Sequence, residues 1–116
     1  MLSSLQQARP APDQKFLEAG THWNLAKLNA DLATAKHQAH SSRRSCSLSD
    51  TEQACLRGLL CGYSPIEIAT ALNRDATGLR VDLSRGLYEY IQLLTGQRPR
   101  DWRRVTIVLE KAGYKL

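Results

Sequence analysis

The stretch LSDTEQACLRGLLCGYSPIEIATALN, residues 48–73, decides the fold because it contains two helix starts. Residues 49–52 and 64–67 both read Ser-x-x-Glu, the capping box in which a serine and a glutamate side chain satisfy free backbone N–H groups. Pro65 stands at the first helical position of the second box, and Gly62 suits the left-handed conformation that ends a preceding helix. The pattern predicts a helix, a tight turn and a second, short helix.

A longer helix is predicted beyond this stretch. The short helix is expected at Pro65–Leu72, and Asn73 then predicts a turn, because asparagine tolerates a positive φ. Asp75 or Thr77 can cap the next helix. We expect that helix to run without interruption over 77–94, since its apolar residues recur at steps of about four. These residues form one stripe of Leu79, Leu83, Leu87, Ile91 and Leu94.

The remainder of the chain is divided by its turn-forming residues. A flexible arm is predicted at 1–11, a helical hairpin at 12–40, a polar linker at 41–47, and a helix-turn-helix domain at 48–116. The first hairpin helix is expected to end at Gly20. The second carries apolar residues at helical spacing, namely Leu25, Leu28, Leu32 and Ala35.

Gly96 and Pro99 are expected to end the long helix over 77–94. A last amphipathic helix is predicted to start at Asp101 and to end at Ala112 and Gly113. With no strand pattern in the sequence, we predict an all-α fold of about five to six helices, with helix bounds good to roughly two to four residues.

Composition narrows the classes of function. The 116 residues, 42% of them hydrophobic, suffice for one modest domain. Lysine and arginine number 16 against 11 acidic residues, and this net charge of +5 favours a polyanionic partner. Three cysteines cannot all pair within the chain, and no signal peptide pattern precedes them, so a cytoplasmic protein is expected. No apolar run approaches the roughly 20 residues that a membrane span needs.

Residues 48–85 resemble the LuxR-type helix-turn-helix and, in helix lengths, region four of sigma factors. The resemblance is carried without a gap by Leu48-Ser-Asp-Thr-Glu52, Leu59-Leu60-Cys-Gly-Tyr-Ser64, Glu67-Ile-Ala69, Leu72 and Leu79-Arg-Val-Asp-Leu-Ser-Arg85. It implies a DNA-binding, non-enzymatic domain. Two residues depart from the family pattern: Arg74 replaces a usually buried aliphatic residue, and Asp82 stands where a neutral or basic residue is usual. Asp82 is expected either to pair with Arg85 or to accept a hydrogen bond from cytosine N4.

The face of the third helix opposite its apolar stripe is the candidate DNA-reading surface. A step of 100° per residue places on it Thr77, Val81, Ser84, Arg85 and Tyr88. Arg85 can bond guanine bidentately and Val81 can touch a thymine methyl, while Thr77 or Ser84 can reach base or phosphate. Arg80 and Tyr88 are assigned to phosphate. The alternative is a solvated helix surface whose charges serve solubility.

A second basic group surrounds Pro99 and Trp102. Its members Arg98, Arg100, Arg103 and Arg104 are predicted phosphate contacts, as are Arg43 and Arg44 in the linker. Trp102 is expected to pack into the core, since large aromatic residues are mostly buried. The alternative for all these arginines is ordinary solvation.

These observations predict a bacterial, cytoplasmic transcriptional regulator that binds double-stranded DNA as a homodimer, because a lone helix-turn-helix reads only a few base pairs. The segments Leu87-Tyr-Glu-Tyr-Ile91 and Val108-Leu-Glu-Lys-Ala-Gly-Tyr114 are also similar, more loosely, to helix-turn-helix modules at the start of bacterial NTPase and signalling proteins. That likeness leaves a protein-interaction adaptor as the alternative function.

Catalytic and metal chemistry are not expected. His37, His40 and Cys46 form a loose cluster without a fourth ligand, so no zinc site is predicted, and no other cofactor is implied. Cys55 and Cys61 lie among apolar neighbours and are expected in the core. The sequence has no phosphate-binding glycine loop, no Ser/His/Asp set and no paired carboxylates in a plausible cleft.

Overall fold

The computed structural model describes residues 15–40 and 47–116, apart from the side chain of His40. Within these ranges the chain is helical and its β-structure is limited to one bridge, between Trp23 and Lys115. The predicted all-α class is therefore confirmed. A one-turn helix is followed by six longer ones, and their bounds are α1 Ala19–His22, α2 Leu25–His40, α3 Asp50–Leu60, α4 Pro65–Leu72, α5 Ala76–Arg85, α6 Leu87–Thr95 and α7 Arg104–Lys111.

Both predicted capping boxes are formed. The Glu52 N–H donates to Ser49 Oγ over 3.1 Å, and the Ser49 N–H donates back to Glu52 Oε1 over 2.8 Å. The corresponding distances between Glu67 and Ser64 are 3.2 Å and 2.8 Å. Gly62 between the two helices has a φ of 92°, as the turn requires. These caps satisfy N–H groups that the helices leave without an intrahelical partner.

The turn between α4 and α5 is also as predicted. Asn73 adopts the left-handed conformation, with a φ of 56°. Of the two predicted caps for the next helix, Asp75 is the one used, because its Oδ2 accepts from the Gly78 N–H over 2.7 Å. Helix α5 then begins at Ala76.

The prediction of one continuous helix over 77–94 is wrong. The helix is interrupted at Gly86, whose φ of −115° and ψ of −98° are not helical, so α5 and α6 are separate helices. A Cβ at this position would lie 2.8 Å from the carbonyl oxygen of Asp82, which only glycine avoids. The apolar stripe still faces the interior on both sides of the break, where Leu79, Leu83, Leu87 and Ile91 are all buried.

The first helix of the predicted hairpin is also misplaced. Residues 15–18 form turns, and Gly20 lies inside the one-turn helix α1 instead of ending a helix. Phe16 has a φ of 60°, which no right-handed helix through this position can contain. The second hairpin helix is confirmed as α2, and its Leu28, Leu32 and Ala35 are buried. The predicted arm at 1–11, residues 12–14 and linker residues 41–46 lie outside the described part of the chain.

The core joins the early helices to the late ones. Helix α2 packs mainly against α6, α5 lies between α4 and α6, and α3 contacts α1, α4 and α7. The C-terminal residues close against the start of α2: the Asn24 N–H donates to the Tyr114 carbonyl over 2.9 Å, and the Leu116 N–H to the His22 carbonyl over 2.8 Å. No helix in the described ranges has the length and apolar character needed to cross a membrane.

Candidate nucleic-acid interface

The outer face of α5 is open to solvent. Thr77, Val81, Ser84 and Arg85 are all exposed, as the helical spacing predicted, and Val81 shows 44% of its surface. Arg80 is exposed beside them. The opposite side of the same helix is anchored by Leu79 and Leu83, which are only 2% and 3% exposed. A ten-residue helix with one fixed face thus presents hydroxyl, aliphatic and guanidinium groups together.

Tyr88 does not belong to this face. It follows the break at Gly86 and lies on α6, where it is half-buried and packed against the core. Burial, and then the nearby charge of Asp101, raises the pKa of its phenol to about 12. Tyr88 was predicted on the outer face because the helix was expected to continue past residue 85. The helix is interrupted at Gly86, so its spacing does not extend to Tyr88.

Arg98 is held by α5. Its Nη2 donates to the Ser84 carbonyl oxygen over 2.7 Å and to Ser84 Oγ over 3.2 Å, and its Nη1 donates to Gln92 Oε1 over 3.4 Å. Arg98 therefore holds a position beside α5, and its phosphate contact stays a prediction. The contact brings the loop that follows α6 next to the C-terminal end of α5.

The other basic residues of this region stay exposed. Arg100 and Arg104, with Arg98 and Lys111, line a groove of about 550 Å³ whose apolar wall includes Ile107 of α7. The Arg103 guanidinium carbon lies 4.8 Å from the ring centre of Trp102, a cation–π distance. Trp102 itself is partly buried and packs against the core, as predicted.

Arg74 and Asp82, the two departures from the family pattern, lie close to each other. Asp82 Oδ2 is 4.0 Å from Arg74 Nη2, so its ion pair is with Arg74, and the predicted pair with Arg85 is not formed. Arg74 also donates from Nη1 to Thr51 Oγ1 of α3 over 3.4 Å. Both charged residues line a cavity of about 370 Å³ between α3, α5 and α6. This cavity was not predicted from the sequence, although the two residues that depart from the family pattern belong to its lining.

The histidine and cysteine residues of the described ranges form neither a metal site nor a reactive thiol. In the described ranges no three His, Cys, Asp or Glu side chains are grouped to hold a metal ion. Cys55 is buried, and burial raises the pKa of its thiol to about 12, while burial also raises the pKa of the half-buried Cys61. Arg43, Arg44 and Cys46 lie outside the described residues.

The chain was compared with known protein families, curated proteins and solved structures. No protein-family model, no curated protein and no solved structure matches it. The candidate interface therefore rests on the exposed face of α5, on its buried opposite face and on the basic loop that Arg98 attaches to it.

Proposed function

We propose that this protein is a cytoplasmic transcriptional regulator that binds double-stranded DNA with α5 in the major groove. The observation that carries the proposal is the outer face of α5, where Thr77, Val81, Ser84 and Arg85 are exposed together on a helix braced by α4. A short helix held across a tight turn from a second helix is the arrangement with which helix-turn-helix proteins enter a groove about 12 Å wide.

Each exposed side chain has a role in this proposal. Arg85 bonds guanine O6 and N7, and Val81 contacts a thymine methyl. Thr77, near the start of α5, reaches a base or a phosphate. Ser84 already accepts from Arg98 through its hydroxyl, so its own O–H proton is what remains for a base or phosphate acceptor.

Basic residues beside α5 supply sequence-independent affinity. Arg80 lies on α5 itself, while Arg100, Arg103 and Arg104 belong to the segment that Arg98 attaches to the end of that helix. Their charges act with the net charge of +5 to displace counterions from DNA. Asp82 is the one acidic residue of α5, and its proximity to Arg74 reduces its repulsion of phosphate. Arg43 and Arg44 stay predicted phosphate contacts.

Titration of fluorescent duplexes at several salt concentrations tests the proposal. We expect the logarithm of the binding constant to fall linearly with the logarithm of salt concentration. Arg85→Ala should cost roughly 1–3 kcal/mol and relax selectivity at one base position, whereas Arg103→Ala should weaken all sequences alike. A Kd weaker than about 10⁻⁴ M without a salt slope would contradict DNA binding.

The expected homodimer needs an exposed surface through which two copies can meet. The stripe of α5 and α6 is not available for this contact, because Leu79, Leu83, Leu87 and Ile91 are buried within the chain. Exposed apolar residues elsewhere include Leu93 of α6 and Ile107 of α7. Sedimentation equilibrium with and without a palindromic duplex distinguishes a stable dimer, a DNA-assembled dimer and a monomer.

A protein-interaction adaptor is the second candidate, and the groove beside α7 is the observation that favours it. Four cationic residues surround an apolar wall that contains Ile107, which suits an acidic protein segment better than bare phosphate. Affinity capture from nuclease-treated lysate separates the candidates, because retention of a stoichiometric protein partner supports the adaptor. Loss of every partner after nuclease supports DNA binding.

A further inference from the structure

The cavity between α3, α5 and α6 has no role in the DNA binding proposed above. Its volume of about 370 Å³ falls at the small end of the range for ligand sites, about 300–1,000 Å³. Its walls come from three helices and from Arg74 in the turn before α5. It adjoins the candidate interface, because the exposed Arg85 belongs both to the outer face of α5 and to the lining of the cavity.

Three unusual features of the chain converge on this cavity. Arg74 and Asp82 are the two departures from the helix-turn-helix pattern, and Gly86 interrupts the long helix. A glycine there leaves open the space that a side chain would take between the Asp82 carbonyl and the carboxylate of Glu52.

The charges around the cavity leave one cation without an ion-pair partner. Glu52 Oε1 accepts from Lys36 Nζ over 2.7 Å, so Lys36 neutralises this carboxylate. Asp82 lies 4.0 Å from Arg74. Arg85 also lines the cavity, and it makes no ion pair with any residue in 15–40 or 47–116. A ligand with one negative charge completes this set.

The rest of the lining is suited to an apolar body. Its aliphatic lining residues are Leu79, Leu83 and Leu87, each of which exposes at most 3% of its surface. Cys55 adds a thiol that burial keeps protonated at neutral pH, so it behaves as a small apolar group and not as a nucleophile.

We propose that this cavity binds a small monocarboxylate with an apolar body, its carboxylate paired with Arg85 and its body against the leucines. Guanidinium and carboxylate form charge-assisted, often bidentate hydrogen bonds, which fix the orientation of such a ligand. The binding itself does not depend on the proposed DNA function.

The full chain can be titrated with 4-phenylbutyrate, an aromatic monocarboxylate, while NMR monitors the backbone amides. The uncharged 4-phenyl-1-butanol is the control ligand. We expect saturable shifts confined to amides near residues 52–55 and 82–87, with a Kd for the acid on the order of 1 mM or tighter. Arg85→Gln should raise that Kd about tenfold and change the binding of the alcohol less than about twofold.

Arg80→Gln is the matched control, because Arg80 is exposed on the same helix but does not line the cavity. It should leave the Kd of the acid unchanged. Absence of saturation by about 10 mM overturns the proposal. So do shifts scattered over other arginines, or an equal effect of Arg80→Gln and Arg85→Gln, which would mean non-specific attraction.

A regulatory consequence rests on the proposed function. Because the carboxylate and a guanine would compete for Arg85, saturating 4-phenylbutyrate should weaken duplex binding, and the duplex should weaken binding of the acid by the same factor. Saturable NMR shifts with no duplex binding at all would reject the DNA function and retain the ligand site. Duplex binding that the saturating acid leaves unchanged would reject only this competition.

Discussion

The guanidinium of Arg98 hydrogen-bonds to the C-terminal end of α5 from outside the helix. It donates to the Ser84 carbonyl over 2.7 Å, and a cation near a helix C-terminus also interacts favourably with the helix dipole. Its position in sequence, fourteen residues beyond Ser84, gives no indication of this contact.

Arg98→Ala should therefore lower the free energy of unfolding by about 0.5–1.5 kcal/mol, since it removes hydrogen bonds to a helix end. Urea denaturation followed by circular dichroism measures the change. Arg100→Ala, an exposed arginine in the same loop, is the control and should stay within about 0.5 kcal/mol of the natural chain. Equal stabilities of the two variants would show that the Arg98 contact contributes nothing.

Tyr114 gives the fold a dependence on alkaline pH. Its hydroxyl donates to Asp31 Oδ2 over 2.6 Å, and burial, followed by this hydrogen bond and the charge of Asp31, raises the pKa of the phenol from 10.0 to about 12. Between these values the unfolded chain releases the proton and the folded chain retains it. The contribution of Tyr114 to stability is thus intact below about pH 10 and falls as the pH rises toward 12.

The unfolding free energy at pH 9 and pH 11.5 tests this expectation. The natural chain should lose stability between the two values, and Tyr114→Phe should lose less, although it starts lower because the bond to Asp31 is gone. Some loss should persist in the variant, because Tyr88 and Cys55 also have pKa values raised by burial to about 12. Identical losses in both chains would contradict the assignment to Tyr114.

At the scale of elements, the approach of α3 to α4 depends on Gly58. A Cβ at this position would lie 2.7 Å from Cγ1 of Ile68, which is fully buried in α4. Gly58→Ala should destabilise the protein by about 1–3 kcal/mol, because the two helices must separate or Ile68 must leave its rotamer. Thermal denaturation measures the effect.

Gly20→Ala is the matched control for this substitution. Gly20 also lies in a helix, and its new Cβ would meet Leu25 Cδ1 at 3.5 Å, an ordinary contact. We expect a neutral or slightly stabilising effect, since alanine restricts the unfolded chain more than glycine does. A comparable loss in both variants would mean that glycine is needed for a reason other than close packing.

The elements show which parts of the fold a sequence can specify. Caps are local, so Ser49, Ser64 and Pro65 indicated the starts of α3 and α4 correctly. The break at Gly86 was hidden, because Leu83 and Leu87 are both buried and the four-residue period continues across it. The helix ends there because the φ and ψ of Gly86 are not helical, and the nearby Asp82 carbonyl leaves no room for a Cβ at this position; periodicity contains neither fact.

At the scale of the whole molecule, α2 is part of the same core as the helices after residue 47. It packs on α6 and buries Leu28, Leu32 and Ala35. A chain that starts at Ser47 should therefore lose cooperative thermal unfolding, because the face of α6 that α2 covers becomes exposed. A cooperative transition at an unchanged Tm would show that residues 48–116 form an independent domain.

The candidate interface was predictable only where one helix determines it. Helical spacing within α5 sufficed for Thr77, Val81, Ser84 and Arg85. The contact of Arg98 with Ser84 and the position of Tyr88 on α6 were not predicted, because they depend on contacts between elements and on the break at Gly86. The cavity requires three helices to be placed at once, which no local pattern encodes.

The closure of the C-terminal residues onto the start of α2 affects how the protein is made. The hydrogen bond between Tyr114 and Asp31 joins residues 83 positions apart. At ribosomal rates of about 5–20 residues per second, Asp31 waits roughly 4–17 s for its partner to be synthesised. During that time α2 lacks both this bond and its packing surface on α6. The nascent chain must therefore reach its final fold late, and its exposed leucines are then available to a chaperone.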